Sequence, residues 1–383
     1  MNLSRSRKKV GIGIPCLLIG GTEIQTVHLV NALIQEGYGL TVVCYFEYDP
    51  WIVNKLEDLG AEVVLLKWTR GIPPFRFINS LSKELKKYAF DIFHVQYVAP
   101  GALPILAARL AKIKKVLATV HQPKTKSHGR FAGLILKTAA RFCDSFLAVS
   151  KSTEKSWFGS VQLMDSNFHA EKIPAHCTVY NTLDTDWMDQ QLSSRPDQPI
   201  STVRPFRIGT VSRLNYVKGI DILIRAFQLM DEKKKLQAEL VIYGEGEEEA
   251  RLKKMVADFG LKNQVHFKGK LNPSEVIYQT AQLDLVVVPS RFEAFGLFAA
   301  EAMYLGKPVI ASESFGLLEV IQQGETGMLF PVEQVEKLAQ AMECLLENPD
   351  LRISLGQKGK ISVKEKFGFH SFQQNIAKLY RLL

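Results

Sequence analysis

Two carboxylates eight residues apart, Glu293 and Glu301, lie in the stretch LDLVVVPSRFEAFGLFAAEAMYLGKPVIAS that runs from Leu283 to Ser312. Between them sit Phe295, Gly296 and Leu297, where a helix should begin. Backbone N–H groups in the first turn of a helix have no intrahelical acceptor and stand at the positive end of its dipole, so they suit a phosphate. A phosphate seat between two carboxylates that accept from hydroxyls describes a nucleotide-sugar site, one carboxylate for ribose and one for the sugar. Two glutamates in isolation would equally serve as solvated surface charges. Two cations add to the pattern. Arg213 and Lys218, in SRLNYVKG (212–219), fall at a strand–helix junction. Arg213 can grip a diphosphate with two donors and Lys218 can act as a point charge. Outside such a context the same two residues would read as an ordinary surface pair.

Positioning these groups takes a particular architecture. The run Leu285–Val288 is apolar throughout and reads as a strand buried on both faces. A loop follows, then a helix over Gly296–Leu305 closed by Gly306, and a second apolar strand from Pro308. The same alternation runs through the chain. Strands are expected at Lys9–Ile14, Leu40–Phe46, Glu62–Leu66, Asp91–Val95, Leu117–Val120 and Asp144–Ser150, the last closing a first sheet. A second set begins at Phe206–Ser212 and continues through Leu240–Tyr243, Val265–Gly269 and Gly327–Phe330. Strands alternating with helices predict parallel, doubly wound sheets, whose ligands bind where the strands end. Gly20 and Gly21 lie at the first strand–helix turn and allow a backbone to approach a ligand closely. His121 stands at the end of a strand, a position more often structural than functional.

Several strings carry a family resemblance. E-A-F-G-L-F-A-A-E-A-M followed by G-K-P-V-I-A resembles the E-x7-E signature of retaining glycosyltransferases of family 4 (glycosyl transferases group 1), although Ala294 stands where many members have Gly. SRLNYVKG resembles the R-L-x-x-x-K-G string of that family, GGTEIQTVHLVNAL its N-terminal motif, ATVH its T-x-H motif, Asn181–Asp184 its N-G-V-D turn with Thr182 for Gly, and Gly244-Glu245-Gly246 its G-x-G turn. The resemblance implies a GT-B fold, two Rossmann-like domains facing across a cleft. It implies that Glu293 binds the transferred sugar and Glu301 the ribose, that Gly21, after Gly20, faces the donor diphosphate, and that His121 contacts the sugar near the reacting carbon. It also implies that the base packs near Lys270 and Leu271, and that the D-x-D string Asp184–Asp186 holds no metal. Catalytic roles are therefore expected of His121, Glu293, Arg213 and Lys218.

The chain of 383 residues has room for two domains. The expected division is 1–190, a polar linker over 191–204 with Pro196 and Pro199, a nucleotide-sugar-binding domain over 205–365, and a C-terminal segment, 366–383, that returns to the first domain. The five cysteines show no C-x-x-C spacing, as expected of free thiols in a reducing cytoplasm. Residues 1–190 hold 23 Lys+Arg against 16 Asp+Glu, and the stretch Ile92–Cys143 has no carboxylate at all. Its segment Arg130–Phe142 is amphipathic. The mundane expectation is that Phe131, Leu134, Ile135, Thr138 and Phe142 pack on the sheet; the sharper one is a patch, within Arg109–Arg141, for anionic lipid headgroups or an anionic lipid-linked acceptor.

The expected activity is metal-independent, retaining transfer of a sugar from a nucleotide-diphosphate sugar to a hydroxyl acceptor, in cell-surface polysaccharide or glycolipid synthesis, with no cofactor and no nucleic-acid partner. The expected location is cytoplasmic or peripheral on the inner face of a membrane. A nucleotide-sugar epimerase and a non-catalytic nucleotide-sugar-binding protein are the alternatives. A glycosidase would also use two carboxylates but has no need of a diphosphate grip.

Overall fold

The computed structural model describes residues 7–97, 101–125, 128–166, 168, 171–194 and 204–383. The chain divides into two compact units, Met1–Thr182 with Phe369–Leu383, and Leu183–Gly368. In the first unit, strands β1 (Lys9–Ile14), β2 (Gly39–Cys44), β3 (Glu62–Leu65), β4 (Ile92–Tyr97), β5 (Lys115–Val120), β6 (Ser145–Ala148) and β7 (His176–Thr178) form one parallel sheet. Its order is β3-β2-β1-β4-β5-β6-β7. The strands are nearly all apolar because helices cover both faces.

In the second unit, β8 (Phe206–Val211), β9 (Ala238–Tyr243), β10 (Val265–Phe267), β11 (Leu285–Val288), β12 (Val309–Ser312) and β13 (Met328–Phe330) form a parallel sheet ordered β10-β9-β8-β11-β12-β13. Both orders follow the doubly wound Rossmann pattern. Strand order reverses between β1 and β4 in one sheet, and between β8 and β11 in the other. Ligands of such sheets bind at that switch point, beyond the carboxyl ends of the strands.

Three sequence expectations change. Asp144–Ser150 is not the last strand of its sheet, because β7 pairs beyond it, Phe146 opposite His176. A three-residue strand is too short to show a period. Thr185–Ser193 forms a helix capped by Asp184, which accepts from the Trp187 amide at 3.0 Å, and this helix packs on Pro273–Ala281 of the second unit. The boundary therefore falls after Thr182 rather than at 190, and Asp184 of the D-x-D string caps a helix. Of the expected linker, 195–203 lie outside the described residues.

The third change concerns the helix Ala132–Ala140. It buries Gly133, Leu136 and Ala139 against its unit, while Phe131, Leu134, Ile135 and Phe142 are exposed. Of the two expectations for this segment, inward packing of these residues fails, because they face out.

The C-terminal helix Phe369–Arg381 packs on the helix Gly21–Gln35 and joins the core of the first unit through Ile376, Leu379 and Tyr380. Tyr380 is fully buried, and its hydroxyl lies 2.7 Å from His94 Nδ1. Tyr380→Phe leaves that ring nitrogen without its partner, at a cost of about 1–3 kcal/mol. The first unit should then melt several degrees lower; an unchanged melting temperature would show that the bond does not hold the helix.

Candidate donor-binding site

The site is built from loops at the carboxyl ends of the second sheet. β8 runs into residues 212–219 and β11 into residues 289–296, so the two loops flank the switch point and their strands pair directly. Glycines clamp the first loop on both sides. A Cβ on Gly219, whose φ is +64°, would stand 2.1 Å from the Pro289 carbonyl oxygen. A Cβ on Gly244 would stand 1.8 Å from Ser212 O, and one on Gly246 2.3 Å from Leu214 O. Backbone lies directly on backbone at these points, which explains the glycines of the G-x-G string without any ligand.

Lys218 and Glu293 meet at the centre. Lys218 Nζ donates to Glu293 Oε2 at 2.6 Å, and Ser290 Oγ donates to the same oxygen at 3.3 Å. The Glu293 backbone is fixed from below: its amide donates to Ser314 Oγ at 3.1 Å, and its carbonyl accepts from the Gly316 amide at 3.1 Å. Gly296, in the left-handed region at φ +102°, starts the helix Leu297–Tyr304. A Cβ on Gly296 would lie 3.7 Å from Glu293 Cγ, so the helix N-terminus adjoins the Lys218–Glu293 pair. Phe295 is buried beneath it against Phe367. Arg213, one loop residue beyond Ser212, is exposed, and no ion pair holds it among the described residues. Glu301 lies on the helix, half-buried, and burial pushes its carboxyl up to about 7. Lys270 is exposed and paired with Glu245 at 3.3 Å, beside half-buried Leu271.

One anchor escapes sequence reasoning. Arg291 makes two parallel bonds to Asp221, Nη1 to Oδ1 at 2.7 Å and Nη2 to Oδ2 at 2.8 Å. It also donates to the Tyr216 carbonyl at 2.8 Å, pairs with Glu333, and lies over the Tyr216 ring at 4.0 Å. Its own amide donates to Val217 O at 2.9 Å. Arg291 therefore ties the Lys218 loop to the Glu293 loop. The signal available in the sequence was slight, an arginine two residues before Glu293 and an aspartate three after Lys218.

His121, Gly20 and Gly21 belong to the first unit. The register of β4 on β5 sets Gln96 opposite Thr119. His94, Gln96, Thr119 and His121, each two residues from its strand neighbour, therefore line one face. His94 Nε2 lies 2.7 Å from Thr119 Oγ1, and His121 Nε2 2.6 Å from Gln96 Oε1. With the amide oxygen facing the ring, Nε2 carries the proton and Nδ1 does not. Burial holds His121 down to about 4 and His94 to about 3, so both rings are neutral near pH 7. Among the described residues Gln96 Nε2 has no hydrogen-bond partner, and Gln96 lines a cavity of about 30 Å³, enough for a water molecule. Gly20 is extended at φ −163°, and a Cβ there would meet only the mobile end of Glu23. The fold does not demand glycine at that position, unlike 219, 244 and 246.

Comparison with known proteins accounts for both units. "Glycosyl transferases group 1" matches residues 195–362 and "Glycosyltransferase Family 4" residues 19–159. An uncharacterized glycosyltransferase of Methanocaldococcus jannaschii is 33% identical over 376 residues, 95% of each chain. The chain belongs to the family 4 glycosyltransferases. This glycosyltransferase is also 26% identical to N-acetyl-alpha-D-glucosaminyl L-malate synthase of Bacillus anthracis, over 94% of its own length and 93% of that protein's. Among solved structures, Anabaena HepE in complex with UDP and glucose superposes with a TM-score of 0.79 at 19% identity, covering 98% of this chain and 100% of that one. That likeness places the glycosyltransferase in the GT-B fold.

Arg291→Lys keeps the charge but loses the two-bond grip on Asp221. Binding of a nucleoside diphosphate should weaken roughly ten-fold, the worth of a charge-assisted hydrogen bond. Arg225→Lys, at the exposed side of the same aspartate, should leave binding unchanged. Equal effects from the two substitutions would remove the special role of Arg291.

Proposed function

We propose that this glycosyltransferase moves a sugar from a nucleotide-diphosphate sugar to a hydroxyl acceptor, with retention at the anomeric carbon and without a metal. The observation that carries the proposal is the convergence of Lys218, Glu293 and the Gly296 helix N-terminus at the β8/β11 switch point, with Arg213 on the same loop. Arg213, Lys218 and the first-turn amides supply positive charge where the diphosphate departs, the task a divalent ion performs elsewhere. The UDP held by the Anabaena neighbour makes UDP the first donor nucleotide to try.

In this reading the bond from the anomeric carbon to the β-phosphate oxygen breaks as the acceptor oxygen bonds the same face. The acceptor proton passes to the leaving phosphate. Glu293, already engaged with Lys218, accepts from sugar hydroxyls, and displacement of the lysine toward phosphate would free it to do so. His121, neutral and oriented by Gln96, is assigned to the sugar, and Gly20 and Gly21 to close approach by the donor. Glu301 accepts from ribose hydroxyls, while Lys270 and Leu271 border the base. The positive balance of residues 1–190 supports an anionic or lipid-linked acceptor in the synthesis of cell-surface polysaccharide or glycolipid.

Two measurements test the assignments. Glu293→Ala should lower kcat by at least about a hundred-fold, as loss of a transition-state contact does, with little change in UDP affinity. A silent substitution would contradict the role of Glu293. Glu301 must be ionised to accept two hydroxyls, and its folded-state value is raised to about 7. UDP affinity should therefore be full above pH 7 and fall as pH drops below it, by about ten-fold per pH unit. Glu301→Gln should bind more weakly and flatten the profile; an unchanged profile would move the ribose contact elsewhere.

A further inference from the structure

The helix Ala132–Ala140 turns an apolar face outward. Phe131 is 65% exposed, Leu134 67%, Ile135 54% and Phe142 44%. At about 100° per residue these side chains share one stripe, with Thr138 among them. The opposite stripe, Gly133, Leu136 and Ala139, is the one buried in the unit. The helical turns continue past the element: the Ile135 amide donates to Phe131 O, and the Phe142 amide to Ala139 O. Phe131 and Phe142 are thus held at the two ends of one continuous surface.

Cations flank this stripe along one side. Arg130, Lys137 and Arg141 are exposed and fall on one edge of the helix. Arg109 extends the patch, since its guanidinium donates to Phe142 O at 2.7 Å and to Ile113 O and Lys114 O at 3.1 and 2.8 Å. These bonds bring the segment with exposed Leu110, Lys112 and Lys114 beside Phe142. Among the described residues, the ion pairs at this patch are those of Arg109 and the neighbouring Lys115, both with Asp144. No Asp or Glu occurs from Ile92 to Cys143.

We propose that this face docks on an anionic lipid bilayer. Phe131, Leu134, Ile135 and Phe142 enter the headgroup–acyl boundary, and Arg130, Lys137, Arg141, Lys112 and Lys114 meet the phosphates. The charge pattern selects this occupant. A second copy of the chain on the same face would set cationic edges together, with Asp144, already shared by Arg109 and Lys115, as the carboxylate beside Phe142. A bilayer supplies both an apolar phase and negative charge, the pairing that an amphipathic helix lying in the interface requires. No helix among the described residues is long and apolar enough to cross a membrane, so the contact is to one leaflet. The proposal stands apart from the sugar-transfer reading.

The test is sedimentation of the full chain with vesicles of phosphatidylcholine alone and of phosphatidylcholine with phosphatidylglycerol, with no sugar donor present. The wild type should co-sediment with the anionic vesicles and be partly released by salt. Leu134→Ser/Ile135→Ser should reduce binding by at least about ten-fold even at low salt, and Lys137→Glu/Arg141→Glu should abolish the preference for anionic lipid. Every substituted side chain is exposed, so melting temperatures should match the wild type, and UDP binding should be retained. Equal binding to both vesicle types, or none to either, overturns the proposal. So does a dimer in solution that the serine pair dissociates, which would assign the face to a second copy.

Discussion

The second unit depends on one ion pair backed by another, more buried one. Lys218 and Glu293 form the less buried pair, with side chains 25% and 17% exposed. Arg291 and Asp221, at 10% and 6%, form the pair beneath it. An exposed lysine–glutamate contact would contribute little to stability and would wander. Here the loops that present it are pinned by a two-bond arginine–carboxylate grip in a partly desolvated setting, where geometry is strict. The arrangement holds two opposite charges in contact at 2.6 Å. Glycines at 219, 244 and 246 allow three loops to stack backbone on backbone, where any side chain would clash.

The first unit handles polarity differently. Its sheet carries a row of neutral polar groups, His94, Gln96, Thr119 and His121, one pair completed by Tyr380 from the far end of the chain. Burial keeps both imidazoles uncharged. The C-terminal helix is therefore part of the packing behind His121, and chain order conceals it: 286 residues separate His94 from Tyr380.

Much of this was legible in the sequence. The apolar runs of β8, β9, β11 and β12 were readable because buried parallel strands have a strong signature, and so was the placing of Arg213, Lys218 and Glu293 in the loops that follow them. Short or irregular features were not. The three-residue β7 lacks a period, and the Asp184 cap starts a helix that carries residues expected in the first domain into the second unit. Arg291 and Asp221 were missed because a long-range charge pair leaves no local pattern. The stripe of residues 131–142 was left between two readings, packed inward or exposed, for a related reason. Helical periodicity identifies an apolar face, yet the small residues Gly133 and Ala139 permit close packing on the other side, and the sequence does not say which face the core takes.

The central claim is that Arg213 and Lys218 catch the charge that leaves with the nucleotide. Its most direct test is calorimetric titration of UDP, against uridine as the uncharged control, into the wild type and Arg213→Ala/Lys218→Ala with a chelator present. The account predicts that the wild type binds UDP far more tightly than uridine without any divalent ion, and that the double substitution erases the difference. A diphosphate advantage that survives the substitution, or that vanishes from the wild type when the chelator is added, would contradict it.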